Sequence, residues 1–306
     1  MHRRLALATV ARRRSDSQSI GVIGLGIMGS SIARHIVAAG YRVVGYDVRP
    51  ARLRELKSAG GVAAASSSDV AHQSAILITS LPSSEALAET VEALAQVSRP
   101  PKIVVETSTL PIEVKQRARV SLRKKGIELL DCPISGTGAQ ARTKDIVVYA
   151  SGSRATYGRV SKVLNAFTRA HYYVGPFGNG SKVKFVANLL VAIHNVASAE
   201  AMVLAMKAGL DAKKVLTLVA DGAGSSRVLQ LRGPMMVKGD YRKATMTLAT
   251  WQKDMAIIAE FARRAGVKTP LFSATAPIYA EAVKTRGKED TAAVCAVLEK
   301  MAHYRR

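Results

Sequence analysis

The sequence predicts an α/β protein: a doubly wound, mostly parallel sheet, followed by an all-helical domain joined to it by one long helix. Three observations carry this expectation. From residue 19 to about 177, short apolar runs alternate with helical periods. Beyond 177 only helical periods remain. Between them, the apolar run over 181–207 is far too long for a strand. The chain is therefore read as a basic extension over 1–18, a sheet domain over 19–177 and a helical domain over 178–306.

The elements follow in order. Residues 19–24 form an apolar strand that runs into Gly24-Leu25-Gly26-Ile27-Met28-Gly29. A helical pattern over 30–39 ends at Gly40, and a second strand over 41–46 ends at Asp47. Pro50 opens a helix through Ala59, closed by Gly60 and Gly61. Buried strands are read at 75–80, 103–107 and 127–131, with Leu81 and Pro82 at the exit of the first. A further strand is read at 146–150. The 181–207 helix would be about 40 Å long. Being apolar nearly all round, it is expected to span the domain junction and to contribute to a subunit interface. Breaks at 209–211, 221–224, 239–240, 266–270 and 286–287 separate the later helices.

Composition narrows the functional classes. With 306 residues and 48% hydrophobic content, the chain has room for two domains with real cores. Its apolar helix carries Lys184, Asn188, His194, Asn195 and Glu200, which fits a buried helix rather than a membrane span. Two isolated cysteines, Cys132 and Cys295, make neither a disulfide framework nor a metal spacing, and suit a reducing, cytoplasmic compartment. His35, His72, His171 and His194 show no metal spacing either, so no metal is expected. The net charge of +23 is spread along the chain and would draw small anions. Arginine clusters are not interleaved with aromatics, and no nucleic-acid partner is expected. The extension over 1–18 holds five arginines against one acid. It reads as a flexible extension or an early start codon, with an organelle-targeting peptide as the alternative.

Two stretches carry chemistry. Gly24, Gly26 and Gly29 make a GxGxxG loop between a strand and a helix, the context of a Rossmann-type dinucleotide-binding domain. The glycines allow the tight turn, the approach of a pyrophosphate and close helix–strand packing. Asp47, at the end of the second strand, would accept hydrogen bonds from the ribose hydroxyls and repel a 2′-phosphate. That favours NAD, with NADP the alternative because Arg49 stands two residues on. The second stretch, Gly178-Asn-Gly-Ser-Lys-Val-Lys184-Phe-Val-Ala-Asn188, opens the long helix. Lys184 and Asn188 lie four residues apart and share a helix face. A lysine in an apolar run needs a partner or a function. Ser135 beside Gly136 offers a hydroxyl where a ligand can approach the backbone.

The glycine loop, Asp131-Cys-Pro-Ile-Ser135-Gly136-Thr137-Gly-Ala139, the Lys184–Asn188 stretch and Lys253-Asp254-Met255 occur in one order. Together they resemble the β-hydroxyacid dehydrogenase family over about residues 19–303. That family includes 3-hydroxyisobutyrate, tartronate semialdehyde and L-threonate enzymes. The resemblance implies interconversion of a small anionic 3-hydroxycarboxylate and its aldehyde or ketone. It implies Lys184 as general acid and base and Asn188 as the substrate aligner. Ser135, Gly136 and Thr137 match the loop that holds the substrate carboxylate. Leu81, Pro82 and Thr109 match cofactor contacts, and Lys253 a lysine that closes over the cofactor from the helical domain. Burial and the Lys253 cation are expected to lower the pKa of Lys184. A homodimer or homotetramer is expected.

The chain also departs from the family. Thr137 stands where the loop usually has glycine, which leaves the substrate open. No asparagine follows the Leu-Pro pair near Ala86. Ala187 stands where the longer 6-phosphogluconate enzymes carry histidine, and Lys184 is kept where imine reductases replace it. Arg232 suits a second anion contact or the surface, and Trp251 suits the core or the site rim. The alternatives are a sulfonate or phosphonate substrate, or a non-catalytic, nucleic-acid- or chromatin-associated protein.

Overall fold

The computed structural model describes residues 19–306. The basic extension over 1–18 and its targeting reading lie outside the described residues. The chain divides into two compact units. The first runs to Ser108 and includes Ile112–Gly136 and Gln140–Gly180; the second comprises Thr109–Pro111, Thr137–Ala139 and Ser181–Arg306.

The first unit is built as β1 (Ile20–Ile23), α1 (Ile27–Ala38), β2 (Val43–Tyr46), α2 (Pro50–Ser58), β3 (Val62–Ala63), α3 (Ser67–Gln73), β4 (Ile76–Thr79), α4 (Ser84–Ala95), β5 (Ile103–Glu106), α5 (Ile112–Arg123) and β6 (Glu128–Asp131). Its six strands are all parallel, in the order β3-β2-β1-β4-β5-β6. This is the Rossmann order. The strand order reverses between β1 and β4. The glycine loop after β1 and the Leu81-Pro82 loop after β4 therefore leave the same end of neighbouring strands, where such sheets bind ligands. Strands β1, β4 and β5 are buried along their whole length, which explains their unbroken apolar runs.

Helices α3 and α4 lie outside the elements expected from the sequence, although α4 buries Leu87, Val91 and Leu94 at helical spacing. Each starts at a serine, Ser66 or Ser83, whose hydroxyl accepts a backbone N–H three residues on. The strand read at 146–150 is present as β8 in a second sheet. Here β7 (Ile134–Ser135), α6 (Gly138–Arg142), β8 (Val147–Ala150), α7 (Arg154–Phe167) and β9 (Ala170–Tyr173) follow one another. β7 pairs antiparallel and β9 parallel with β8. The sheets meet where Asp131, at the end of β6, bridges Ser151.

The second unit is helical. α8 (Asn179–Lys207), whose first two residues belong to the first unit, is 29 residues long. α9 (Ala212–Asp221), α10 (Arg227–Lys238), α11 (Leu248–Arg264), α12 (Pro270–Arg286), a 3-10 turn at Thr291–Ala293 and α13 (Val294–Met301) follow. Among the described residues α8 alone is long and apolar enough to cross a membrane, and half of its apolar stretch is buried. Phe185 on α8 packs edge-on to Phe261, with ring centroids 5.3 Å apart. Asn195 is fully buried, and its amide donates to the Tyr279 hydroxyl and the Thr291 carbonyl, each at 2.9 Å. Trp251 is buried against Tyr279, which settles its place in the core. Arg232 is buried too: its Nε donates to Asp290 Oδ1 at 3.2 Å, so it is no surface residue. The other Asp290 oxygen accepts from the Thr245 N–H and hydroxyl, fixing the turn before α11.

Candidate active site

In the first unit, the glycine loop has the shape of a phosphate cradle. Gly24 has φ +85°, a conformation that favours glycine, and a Cβ there would strike the Ser80 carbonyl. A Cβ on Gly29 would sit 1.8 Å from the Gly24 carbonyl oxygen, so α1 packs on the loop only with glycine there. At Gly26 the nearest foreign atom to such a Cβ is Arg49 Nη2 at 3.9 Å, which leaves the loop's outer face open. Ile27 and Met28 are the first residues of α1, so their N–H groups belong to its N-terminus and suit an anion.

Asp47 directly follows β2 and is almost fully buried. Its Oδ2 accepts the Leu25 N–H at 2.7 Å, and its Oδ1 accepts the Arg49 N–H at 2.9 Å and Nε at 3.2 Å. Burial pushes its pKa up, but the hydrogen bonds from Arg49 and Leu25 outweigh it and the pKa ends below the usual carboxylate value. The loop and this carboxylate fit a dinucleotide. Leu81 donates its N–H to Ser108 Oγ at 2.8 Å, and Pro82 beside it is exposed. Ser135 is half-buried at the end of β7. Gly136 has φ +140°, and a Cβ there would meet Ile146 at 2.6 Å, so the turn after Ser135 requires glycine.

In the second unit, Lys184 and Asn188 are both buried on α8. Burial lowers the Lys184 pKa to about 8, against the opposing pull of the Asp254 carboxylate. Asn188 Nδ2 donates to Asp254 Oδ2 at 3.1 Å. Asp254 is itself buried, which raises its pKa, while Lys253 and Lys184 act to lower it. Lys253, a third exposed, donates to the Thr109 carbonyl at 2.9 Å and lies 3.8 Å from Asp254 Oδ1. The expected contribution of Lys253 to the Lys184 shift is not found: burial produces that shift, and the charge acting on Lys184 is Asp254, of opposite sign. Thr137 is half-buried in the three-residue segment grouped with this unit.

Asp254 is the residue that sequence reasoning passed over. The signal was available. α11 buries Leu248, Trp251, Met255, Ile258 and Ala262, and Asp254 stands on that same apolar stripe. Among the described residues no three His, Cys, Asp or Glu groups come together as metal ligands.

Comparison with known proteins bears on both units. Residues 19–175 match the family model for the NAD binding domain of 6-phosphogluconate dehydrogenase. Residues 178–298 match that for the NAD-binding region of NADP-dependent 3-hydroxyisobutyrate dehydrogenase. The chain is 31% identical over 283 residues to an L-threonate dehydrogenase of Cupriavidus necator, covering 91% of this chain and 95% of that protein. A solved 3-hydroxyisobutyrate dehydrogenase from Salmonella typhimurium superposes with a TM-score of 0.84 at 30% identity, covering 92% of this chain and 99% of the other. The Mycobacterium tuberculosis 3-hydroxyisobutyrate dehydrogenase, solved with L-serine, gives 0.83 at 25% identity, with 92% and 99% covered.

Proposed function

The chain belongs to the β-hydroxyacid dehydrogenase family, and from that premise we propose that it interconverts a small 3-hydroxycarboxylate and its aldehyde or ketone with a nicotinamide cofactor. The observation that carries the proposal is Lys184, a buried amine with a pKa of about 8, one helical turn before Asn188. Such a group is half neutral near pH 8 and can both take and give a proton.

Gly24, Leu25, Gly26, Ile27, Met28 and Gly29 hold the cofactor pyrophosphate, and ionised Asp47 addresses the ribose. When bound, the cofactor supplies the two-electron acceptor or donor. Leu81, Pro82, Thr109 and Lys253 complete the cofactor contacts. Asp47 favours NAD over NADP; its pairing with Arg49 keeps beside the loop a guanidinium that suits a 2′-phosphate, so NADP is the alternative. Ser135, Gly136 and the Thr137 backbone hold the substrate carboxylate, and Asn188 aligns the reacting hydroxyl. In oxidation, the hydroxyl O–H bond breaks and its proton goes to the neutral Lys184 Nζ. The hydrogen on the same carbon would pass with its electron pair to the bound nicotinamide, and in reduction would return from it. In reduction, the Lys184 ammonium returns the proton to the carbonyl oxygen. Asp254 holds Asn188 in register and opposes further loss of the Lys184 proton.

The named relatives act on L-threonate and 3-hydroxyisobutyrate, so four-carbon hydroxyacids lead the candidates. Thr137 adds a methyl and a hydroxyl to the carboxylate loop and is the position at which this chain selects among them. A cytoplasmic location fits the two isolated cysteines, and a homodimer or homotetramer fits the exposed apolar residues of α8. Val186, Leu190 and Leu204 stay exposed on α8 and suit burial against a second copy. The test is NADH formation with a panel of small 3-hydroxyacids, including sulfonate and phosphonate analogues, repeated with NADP. No turnover of any of them with either nucleotide overturns the reading.

A further inference from the structure

The chemistry above leaves a fully buried lysine without a task. Lys115 on α5 has its Nζ 2.6 Å from Glu106 Oε2 and 2.8 Å from Asp131 Oδ1, and all three residues are fully buried. Burial acts to discharge Lys115, but the two carboxylates prevail and keep it protonated. Apolar residues of similar volume often stabilise a buried site as well as an ion cluster or better, so stability alone is a weak reason for this one. Its value must lie in what it holds.

It holds two arms. Glu106 Oε1 accepts the Ser108 N–H at 2.9 Å, and Ser108 Oγ accepts the Leu81 N–H at 2.8 Å. On the other side, the Ser151 hydroxyl lies 3.1 Å from Asp131 Oδ2 and 3.2 Å from the Asp131 carbonyl. Ser151 Oγ accepts the Gly180 N–H at 3.0 Å. One arm thus ends at the loop leaving β4. The other ends in the first turn of α8, four residues before Lys184. The fit at Gly180 is tight: a Cβ there would lie 2.3 Å from the Tyr149 carbonyl oxygen and 2.7 Å from that of Asp131.

We propose that Lys115 is a positioning residue, the keystone of a buried network that sets both the cofactor loop at Leu81 and the start of the helix carrying Lys184. The role rests on the dehydrogenase reading of the site. α5 buries Lys115, Ala118 and Leu122 on one stripe, so the lysine occupies a position that packing alone would fill with an apolar side chain.

Three variants test it: Ser108→Ala, Ser151→Ala and Lys115→Met. Each serine variant removes one oxygen atom and cuts one arm. Ser108→Ala is expected to raise the cofactor KM and the calorimetric Kd for NADH about tenfold, with kcat at saturating cofactor unchanged. Ser151→Ala is expected to lower kcat about tenfold with cofactor Kd unchanged. Lys115→Met should show both effects; should it fail to fold, the two serine variants decide the matter. Wild-type kcat, KM and Kd in both serine variants overturn the proposal, leaving an ordinary buried ion cluster, and so does an effect confined to one arm. A wild-type protein that oxidises no hydroxyacid would sink the dehydrogenase reading instead, while the Kd of Ser108→Ala for NADH still judges the cofactor arm.

Discussion

At the scale of single residues, the proposed chemistry turns on one amine and its neighbours. Replacing Lys184 by Ala should lower kcat by about 10²–10⁴-fold with the circular-dichroism spectrum unchanged, because a positioned acid–base group contributes that much. Wild-type-like turnover in this variant rules out its role. The pH dependence has a definite sign. Burial depresses the Lys184 pKa, so the neutral, proton-accepting form grows as pH rises through about 8. Oxidation should therefore accelerate with pH up to a plateau above about 8, and reduction should slow over the same range. Asp254 acts to raise that pKa. Asp254→Asn should move both profiles toward lower pH, readable in kcat/KM against pH; an unmoved profile would show that Asp254 does not couple to the lysine. Lys184 was legible in the sequence because a charge in an apolar run stands out. Asp254 and Lys115 were less so, because each lies in a helix where charges are common, and only the folded helix shows which face is buried.

At the scale of elements, the strand–loop–helix at β1–α1 was readable down to the turn at Gly24 and the close packing at Gly29, because tight turns admit few residue types. Helix α1 nevertheless starts at Ile27, three residues earlier than its periodicity suggests, since Ile27 and Met28 are part of the loop motif and of the helix at once. The 146–150 run had the composition of a core strand, yet nothing local told which sheet it joins. That is decided by the Asp131–Ser151 bridge, a contact between residues far apart in sequence. The first turn of α8 also rests on a backbone approach that sequence alone conceals. Gly180→Ala should push that turn off the Tyr149 and Asp131 carbonyls, lowering kcat at least about tenfold and the melting temperature by several degrees. An active, equally stable variant would show that this close approach is dispensable.

For the whole molecule, the net charge of +23 is a property of the field rather than of any site. Such a field concentrates small anions and is screened by salt. Raising ionic strength from about 0.02 M to about 0.5 M should raise the KM for the hydroxyacid, by up to about tenfold, and leave kcat nearly constant. A salt-insensitive KM would place the excess charge outside substrate capture. Titration with duplex DNA at two salt concentrations addresses the nucleic-acid alternative, since phosphate binding weakens steeply with salt. The two-part architecture was legible from the change of period near 177, whereas the substrate was not: a hydroxyl and a methyl at Thr137 change a pocket without changing any pattern.

The amine at Lys184 has a second face to its chemistry. A lysine whose pKa is lowered to about 8 by burial is a nucleophile as well as a base. In reductive methylation with formaldehyde and a borane reductant near pH 8, the Lys184 amine should be methylated, as mass spectrometry of peptides would reveal. Saturating NADH and hydroxyacid should protect it. Protection of Lys184 by the bound pair would then report occupancy of the site, whichever hydroxyacid the pocket takes.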